Sequence, residues 1–118
     1  MKLSIIVPAY NEATRIGSML AAYLPFFAER YGDQFELIVS INNTTDNTPE
    51  IVRSWQERYP QVRVLNEPRP IGKGGAIMAA GRQARGDYIG FVDADGATPP
   101  AAFQDLVDNI GQAGLIIA

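Results

Sequence analysis

Short apolar runs alternate along the chain with segments in which apolar residues recur every three or four positions. The runs at residues 3–7, 35–41, 61–65 and 89–92 contain β-branched and aromatic residues, which predicts four buried strands. A fifth run, at residues 115–118, predicts another strand. Strands that alternate with helices over short connections predict an α/β fold, with a mostly parallel sheet and helices on both faces.

The segments between the strands carry helix signals. We expect helices from about residue 13, from residue 48, over residues 76–85 and from the proline pair at 99–100. Pro25 falls inside the first of these, so it either ends that helix near residue 24 or kinks it. The segment 66–75, with two prolines and three glycines, is expected to be a loop.

The length of 118 residues suits one domain. The chain stops within an apolar run, which suggests a truncated piece of a longer protein, although a minimal domain with its last strand on the sheet edge is the alternative. An open edge strand invites pairing with another chain, so a homodimer is possible.

The composition of the chain limits the kinds of partner and of catalytic chemistry it can have. The net charge of −3 argues against a nucleic-acid partner. The absence of cysteine and histidine excludes thiolate chemistry and the Ser-His-Asp triad, so acid–base or metal chemistry falls to Asp and Glu. No apolar run reaches the roughly 18–20 residues of a membrane span and no signal peptide is evident, so we expect a cytoplasmic protein.

Two carboxylates, Asp93 and Asp95, follow the fourth strand directly. The carboxyl ends of parallel strands are where ligands bind in open α/β sheets. Paired carboxylates suit Mg²⁺ or Mn²⁺, which bridge them to phosphate oxygens. The alternative is structural: Asp93 caps the next helix and Asp95 is simply solvated.

Three further loops should meet at the same edge of the sheet, at residues 8–12, 42–48 and 66–75. Tyr10 could stack on a base or sugar, or merely cover the surface. Asn42 could pair with a base edge, or serve as a turn residue. For Asp46 we favour a structural role in capping the turn that follows. Lys73 stands between glycines ahead of a helix, a setting that favours anions.

The ordered motifs resemble those of family-2 glycosyltransferases. They are the segment 4–12, Thr-Asp-Asn-Thr at 45–48, Gly-Lys-Gly-Gly-Ala at 72–76 and the segment from Gly86 to Asp-Ala-Asp at 93–95. The combination is most similar to the dolichyl-phosphate β-glucosyltransferase branch, with the polyprenyl-phosphate mannose synthases as its neighbour.

The resemblance implies a GT-A nucleotide-sugar fold and an inverting, metal-dependent transfer of a sugar to an acceptor such as polyprenyl phosphate. UDP-glucose is the favoured donor and GDP-mannose the second. By match to the family pattern, the nucleoside pocket would be lined by Pro8, Tyr10 and Glu12, and the base would be read at Asn42. Lys73 would lie near the phosphates. Asp93 would face the ribose or sugar and contribute to the metal site, with Ala94 beside it, and Asp95 would hold the metal.

Two departures from the family pattern matter. Residues 41–46 read Ile-Asn-Asn-Thr-Thr-Asp where the family commonly has Asp-Asp-Gly-Ser-Thr-Asp, which leaves base choice open. The acceptor half of the family, with its catalytic base, lies beyond residue 118. We therefore expect residues 1–118 to be the donor-binding portion, with the catalytic residues unknown and any membrane association supplied by other segments.

Two other classes of protein share some of these features. A nucleotidyltransferase would also use a parallel sheet, a basic glycine-rich loop and acids on a metal. It would place a long glycine-rich loop directly after the first strand, where this chain has Pro-Ala-Tyr-Asn-Glu at 8–12. The third possibility is a folded fragment that binds little and has no catalytic activity.

Overall fold

The computed structural model describes residues 1–110 and the backbone of a strand at Leu115–Ile117. Within these residues the strands are β1 (Leu3–Ala9), β2 (Phe35–Asn42), β3 (Val62–Glu67), β4 (Tyr88–Phe91) and β5 (Leu115–Ile117). The helices described there are α1 (Ile16–Tyr31), α2 (Thr48–Arg58), α3 (Gly72–Gln83) and α4 (Pro100–Asn109).

The five strands of the described chain form one parallel sheet in the order β3-β2-β1-β4-β5. The chain moves outward from β1 to β3, and then returns to the other side of β1. Helix α3, which makes the return step, packs on the opposite face of the sheet from α1 and α2. The prediction of a parallel sheet with helices on both faces is confirmed.

One face of β1 and β2 is covered by α1, α2 and α4; we call it the apolar face. Every residue that β1 and β2 direct to it is apolar and buried: Leu3, Ile5, Val7, Ala9, Phe35, Leu37, Val39 and Ile41. Phe27 of α1 is fully buried at its centre, with ring centroids 5.6 Å from Tyr23, 5.9 Å from Phe103 and 6.1 Å from Phe35. This is the main hydrophobic core of the described chain.

The opposite face, under α3, alternates apolar and polar side chains; we call it the mixed face. Along β2 it carries Glu36, Ile38, Ser40 and Asn42, all buried. Its small apolar cluster is formed by Ile6, Ile38 and Ala80. Small residues along α3 leave room for close approach, and the Ser40 hydroxyl donates to the carbonyl oxygen of Ala76 at 2.8 Å.

Gly86 marks the far end of the mixed face. A Cβ at this position would lie 2.5 Å from the backbone nitrogen of Ser4, closer than any side chain tolerates. The glycine allows its own N–H to donate to the Ser4 hydroxyl at 2.8 Å. The α3–β4 connection is thereby held against β1.

Several predicted boundaries are wrong. Helix α1 begins at Ile16, not near residue 13; residues 13–15 form a turn, and the N–H groups of residues 11–13 donate to side chains of the neighbouring loop. It also continues through Pro25 to Tyr31, which excludes the first of the two alternatives for Pro25, an end near residue 24. Pro25 is exposed, and the fully buried Leu24 and Phe27 on either side anchor the helix to the core.

The expected loop over residues 66–75 is shorter than predicted. Strand β3 extends to Glu67 and helix α3 already begins at Gly72, so the Gly-Lys-Gly-Gly segment is the first turn of the helix. Strand β4 ends at Phe91, and the Val92 N–H still donates to the Ile6 carbonyl at 2.9 Å. Among the described helices, none combines the length and apolar character that crossing a membrane requires.

Candidate functional site

A cavity of about 470 Å³ opens at the carboxyl edge of the sheet, in the size range of small-ligand pockets. It lies where the strand order reverses between β1 and β4, the position at which open α/β sheets bind ligands. Its lining is drawn from all four predicted loops and from two residues just beyond them, Arg15 and Ala76; the other lining residues are Pro8, Ala9, Tyr10, Glu12, Asn42, Asn43, Pro70, Gly72, Lys73, Asp93, Ala94 and Asp95. All eight predicted site residues are among them, although what each binds stays a prediction.

The β1–α1 loop supplies one wall. Tyr10 is 58% exposed, so a large aromatic side chain faces solvent at the cavity, where it could stack on a planar ligand. Glu12 forms an ion pair with Arg15 across 2.6 Å. Arg15 was not among the predicted site residues. Its spacing of three residues from Glu12 was the signal for an ion pair between them, and it was missed because residue 15 was expected to lie inside a helix.

The wall is held in place by the β2–α2 loop. Asn11 adopts a positive φ of 47°, and its Oδ1 accepts the N–H groups of Thr45 and Asp46 at 2.9 and 3.2 Å. In return, the Ala13 N–H donates to Asp46 Oδ2 at 3.1 Å and the Glu12 N–H donates to Thr48 Oγ1 at 3.0 Å.

Asp46 also organises its own loop. Its Oδ1 accepts the backbone N–H of Thr48 at 3.0 Å and the hydroxyl of the same residue. These hydrogen bonds from Thr48 hold the pKa of the Asp46 carboxyl below its ordinary value. The structural role predicted for Asp46 is confirmed, and it extends to the neighbouring loop, which the sequence pattern did not indicate.

Asn42 lies at the end of β2 on the mixed face and is only 6% exposed. Its Nδ2 donates to the carbonyl oxygens of Glu67 and Arg69 at 2.9 and 2.6 Å. Its Oδ1 accepts the N–H groups of Ile71 and Gly72 at 3.2 and 3.0 Å. An amide has two donor and two acceptor positions, and here residues 67–72, which join β3 to α3, take all of them. In this arrangement no group of the amide is left to pair with a base.

The first turn of α3 supplies a second cation beside Arg15. Lys73 Nζ lies 2.6 Å from Asp93 Oδ1, with side-chain exposures of 58% and 49%. An ion pair this exposed contributes little to stability. Both groups remain accessible from the cavity, and the ammonium can donate to further acceptors, since it has three N–H bonds.

The acidic loop after β4 is shaped by its own turn and by α1. Asp95 is exposed, and its Oδ1 accepts the N–H of Ala97 at 2.9 Å, while Gly96 takes the positive φ of 77° that the turn requires. Farther along, the Tyr23 hydroxyl donates to the Thr98 carbonyl at 2.8 Å. Burial raises the pKa of Tyr23, so the phenol stays neutral and remains a donor. Tyr23 is thus part of the apolar core and also anchors the loop.

The donor set at Asp93 and Asp95 suits a hard divalent cation. Both carboxylates line the cavity, and Asp95 Oδ2 accepts no hydrogen bond from the described residues. Within residues 1–110, no cluster of three or more His, Cys, Asp or Glu side chains could enclose a metal ion. Two carboxylates fit an ion such as Mg²⁺ or Mn²⁺ that completes its coordination with ligand phosphates and water.

Comparison with known proteins adds an independent line of evidence. The model of glycosyl transferase family 2 matches residues 4–118. The chain is 40% identical over 111 residues to dolichyl-phosphate beta-glucosyltransferase ALG5C of Trichomonas vaginalis, which covers 91% of this chain and 33% of that protein. The chain thus spans about a third of the length of the curated relatives it matches.

Solved structures agree. A mannosyltransferase, PcManGT of Pyrobaculum calidifontis, in complex with GDP-Man and Mn²⁺, superposes with a TM-score of 0.71 at 33% identity, over 80% of this chain and 27% of that one. Residues 1–349 of S. aureus TarS in complex with UDP-GlcNAc superpose with a TM-score of 0.68 at 27% identity, over 92% of this chain and 30% of that one.

Proposed function

The chain belongs to glycosyl transferase family 2, a family of enzymes, and from this premise we propose that it is the donor-binding portion of a glycosyltransferase. It has the GT-A fold, of which residues 1–118 cover a part. The reaction we propose is transfer of a sugar, glucose by preference, from a nucleotide diphosphate sugar to an acceptor such as polyprenyl phosphate. Relatives described as dolichyl-phosphate beta-glucosyltransferases support this choice.

The observation that carries the proposal is the composition of the cavity. It gathers an exposed aromatic ring (Tyr10), a cation at a helix N-terminus (Lys73) and two carboxylates (Asp93 and Asp95) at one edge of the sheet. A nucleotide diphosphate sugar offers a planar base, a diphosphate and hydroxyl groups, which these side chains can stack on, neutralise and hydrogen-bond.

Each of these side chains then has its own role in donor binding. Tyr10, with Pro8 and Glu12, would line the nucleoside end. Lys73 would donate to the diphosphate while keeping its contact with Asp93, and Asp93 would orient the ribose or sugar hydroxyls. This arrangement holds the anomeric carbon in a fixed position for an incoming acceptor oxygen and reduces the entropic cost of reaction.

Asp95, together with Asp93 and with Ala94 beside them, would hold Mg²⁺ or Mn²⁺. A bound ion would act as a Lewis acid that stabilises negative charge on the departing diphosphate. A phosphate acceptor is already ionised at neutral pH and needs little help from a base. Attack opposite the departing diphosphate would invert the anomeric centre. We place the reaction at the cytoplasmic face of a membrane, where a polyprenyl phosphate would be presented.

A second donor, GDP-mannose, is favoured by one observation: PcManGT, whose structure holds GDP-Man and Mn²⁺, superposes on this chain. Calorimetric titration of the chain with UDP-glucose and with GDP-mannose, each with and without Mn²⁺, decides between them. Mn²⁺-dependent binding of UDP-glucose is the expected result. Binding of GDP-mannose alone would move the assignment to a mannosyltransferase.

A variant tests the metal site. Asp95→Ala should weaken Mn²⁺-dependent donor binding at least about tenfold, because it removes a carboxylate ligand. Asp105→Ala is the matched control, since it removes an exposed carboxylate from α4, outside the cavity. Absence of binding to either donor, in a chain shown to be folded by circular dichroism, would overturn the proposal and leave a folded fragment without donor binding.

A further inference from the structure

One residue of the mixed face, Asn42, has hydrogen-bond partners that conflict with its expected role. Asn42 stands where the resemblance places a reader of the nucleotide base. Yet its amide makes four hydrogen bonds to the β3–α3 loop and the residues that flank it, two through Nδ2 to carbonyl oxygens and two through Oδ1 to backbone N–H groups. Pairing with a base would require breaking some of these bonds inside a buried site.

We propose that Asn42 is a positioning residue for the donor diphosphate and not a reader of the base. Its amide holds the β3–α3 loop and the start of α3 in the shape that presents Lys73 and the helix N-terminus to the cavity. This inference rests on the proposed function, since it concerns how the same donor site is built.

The geometry at the start of α3 gives the mechanism. The first N–H groups of a helix have no carbonyl within the helix to bond. Asn42 Oδ1 accepts those of Ile71 and Gly72, which leaves the N–H groups of Lys73 and Gly74 for an external anion. Asn42 thus fixes the loop through the first two N–H groups of the turn, and the next two N–H groups remain available as donors.

The chemistry of the amide explains why an acid is not required here. An ionised aspartate only accepts hydrogen bonds. At position 42 it would face the carbonyl oxygens of Glu67 and Arg69, which lie 2.9 and 2.6 Å from Nδ2, and repel both. The asparagine therefore matches this loop, and restoring the acid common in the family should release it. Asn42→Asp thus separates the two roles, since a base-reading residue would keep or gain affinity for the nucleoside.

The test uses the whole 118-residue chain labelled with ¹⁵N and followed by NMR, with Mg²⁺ present. Uridine, pyrophosphate and UDP-glucose are titrated separately into the parent chain and into Asn42→Asp. We expect pyrophosphate to shift the amide signals of Lys73 and Gly74 in the parent chain. In Asn42→Asp, affinity for pyrophosphate and UDP-glucose should fall about tenfold, the order of effect of leaving buried polar groups unpaired, while uridine affinity changes less than about twofold.

A ligand-free measurement separates this inference from the proposed function. Amide exchange at Ile71 and Gly72 should accelerate about tenfold or more in Asn42→Asp, because their acceptor is displaced. Asn66→Asp is the matched control, as it adds the same charge on an exposed side chain of β3. Asn42→Ser serves as a second variant if the aspartate prevents folding, and the same exchange and titrations apply to it.

Three results would overturn the positioning role. One is unchanged exchange at Ile71 and Gly72 in both variants. Another is loss of uridine affinity with pyrophosphate affinity intact, which would make Asn42 a base reader. The third is absence of pyrophosphate shifts at Lys73 and Gly74 in the parent chain. A parent chain that binds pyrophosphate there, but neither nucleotide sugar, would refute the proposed function and leave the positioning role standing.

Discussion

The apolar face and the mixed face attach their helices to the same two strands by different means. On the apolar face, β1 and β2 present only apolar side chains, and α1, α2 and α4 bury a continuous core against them. On the mixed face the apolar cluster is small, and α3 is fastened near its two ends and in its first turns by buried polar groups.

The polar contacts on the mixed face restrict the position of α3 against β2. Apolar packing tolerates small sliding of one surface over another, whereas a hydrogen bond weakens steeply with distance and angle. Glu36 holds the C-terminal end of the α3 region, and Ser40 and Asn42 hold its first two turns, in register with β2. The apolar face therefore supplies most of the stability, and the mixed face sets the position of the helix that carries Lys73.

The largest expected effect is a loss of stability that differs between the two faces, because their side chains are buried to different extents. Phe27→Ala should lower the free energy of unfolding by about 3–5 kcal/mol, because the ring is fully buried among other aromatic rings. Phe91→Ala, on the mixed face, should cost about 1–2 kcal/mol, since that side chain is half-buried. Urea denaturation of both variants measures the two losses, and equal losses would contradict the contrast between the faces.

The next effect concerns Glu36, which is 1% exposed and lies 2.7 Å from the guanidinium of Arg63. It also accepts the Ser4 hydroxyl and the Arg85 N–H, each at 2.6 Å. Glu36→Gln should cost about 3 kcal/mol, because it leaves buried donors facing a neutral group. Glu57→Gln, at an exposed position of α2, is the control. A loss of less than about 1 kcal/mol would show that the charge is not required there.

The same carboxylate makes stability depend on pH. Burial opposes ionisation of Glu36, but the hydrogen bonds from Ser4, Arg85 and Arg63 and the charge of Arg63 outweigh it and hold the pKa below its ordinary value. The folded state therefore binds this proton less readily than the unfolded state, whose glutamate pKa is about 4.3. The contribution is complete above that pH and is lost as the pH falls through the lower folded pKa.

Urea denaturation of the parent chain and of Glu36→Gln between pH 7 and pH 3 measures this dependence. The stability gap between them should stay constant down to about pH 4.5 and then narrow. A gap that widens on acidification would contradict the assigned direction.

The smallest expected effect concerns Tyr23, which connects the apolar face to the candidate site. Tyr23→Phe removes the hydroxyl that donates to the Thr98 carbonyl and should cost about 1 kcal/mol. Because that bond anchors the acidic loop, Mn²⁺-dependent donor binding should weaken as well, by about two- to threefold. Tyr59→Phe, in the α2–β3 connection, is the control for loss of a hydroxyl. Unchanged donor binding in Tyr23→Phe would show that the loop holds its shape without α1.

The sequence pattern was sufficient for the strands and for the meeting of the loops. The run at residues 3–7 is buried on both faces, as its continuous apolar character predicts, and parallel topology brought all eight predicted site residues to one cavity. It placed the starts of α2 and α4 correctly but was insufficient at the starts of α1 and α3. The first turn of α3 is rich in glycine, which disfavours a helix locally, and the side chain of Asn42, thirty residues earlier, supplies an acceptor for the N–H groups of Ile71 and Gly72.

Periodicity and motif order, by themselves, determined the α/β class, the parallel sheet and the edge at which the chemistry gathers, because these depend on which residues avoid water and on how strands and helices connect. The tertiary structure alone decided which partner each polar group takes. Asn42 could pair with a base or with a loop, and Glu36 could lie in solvent or between two arginines. Those choices depend on hydrogen-bond partners tens of residues away, whose distance and orientation exist only once the chain has folded.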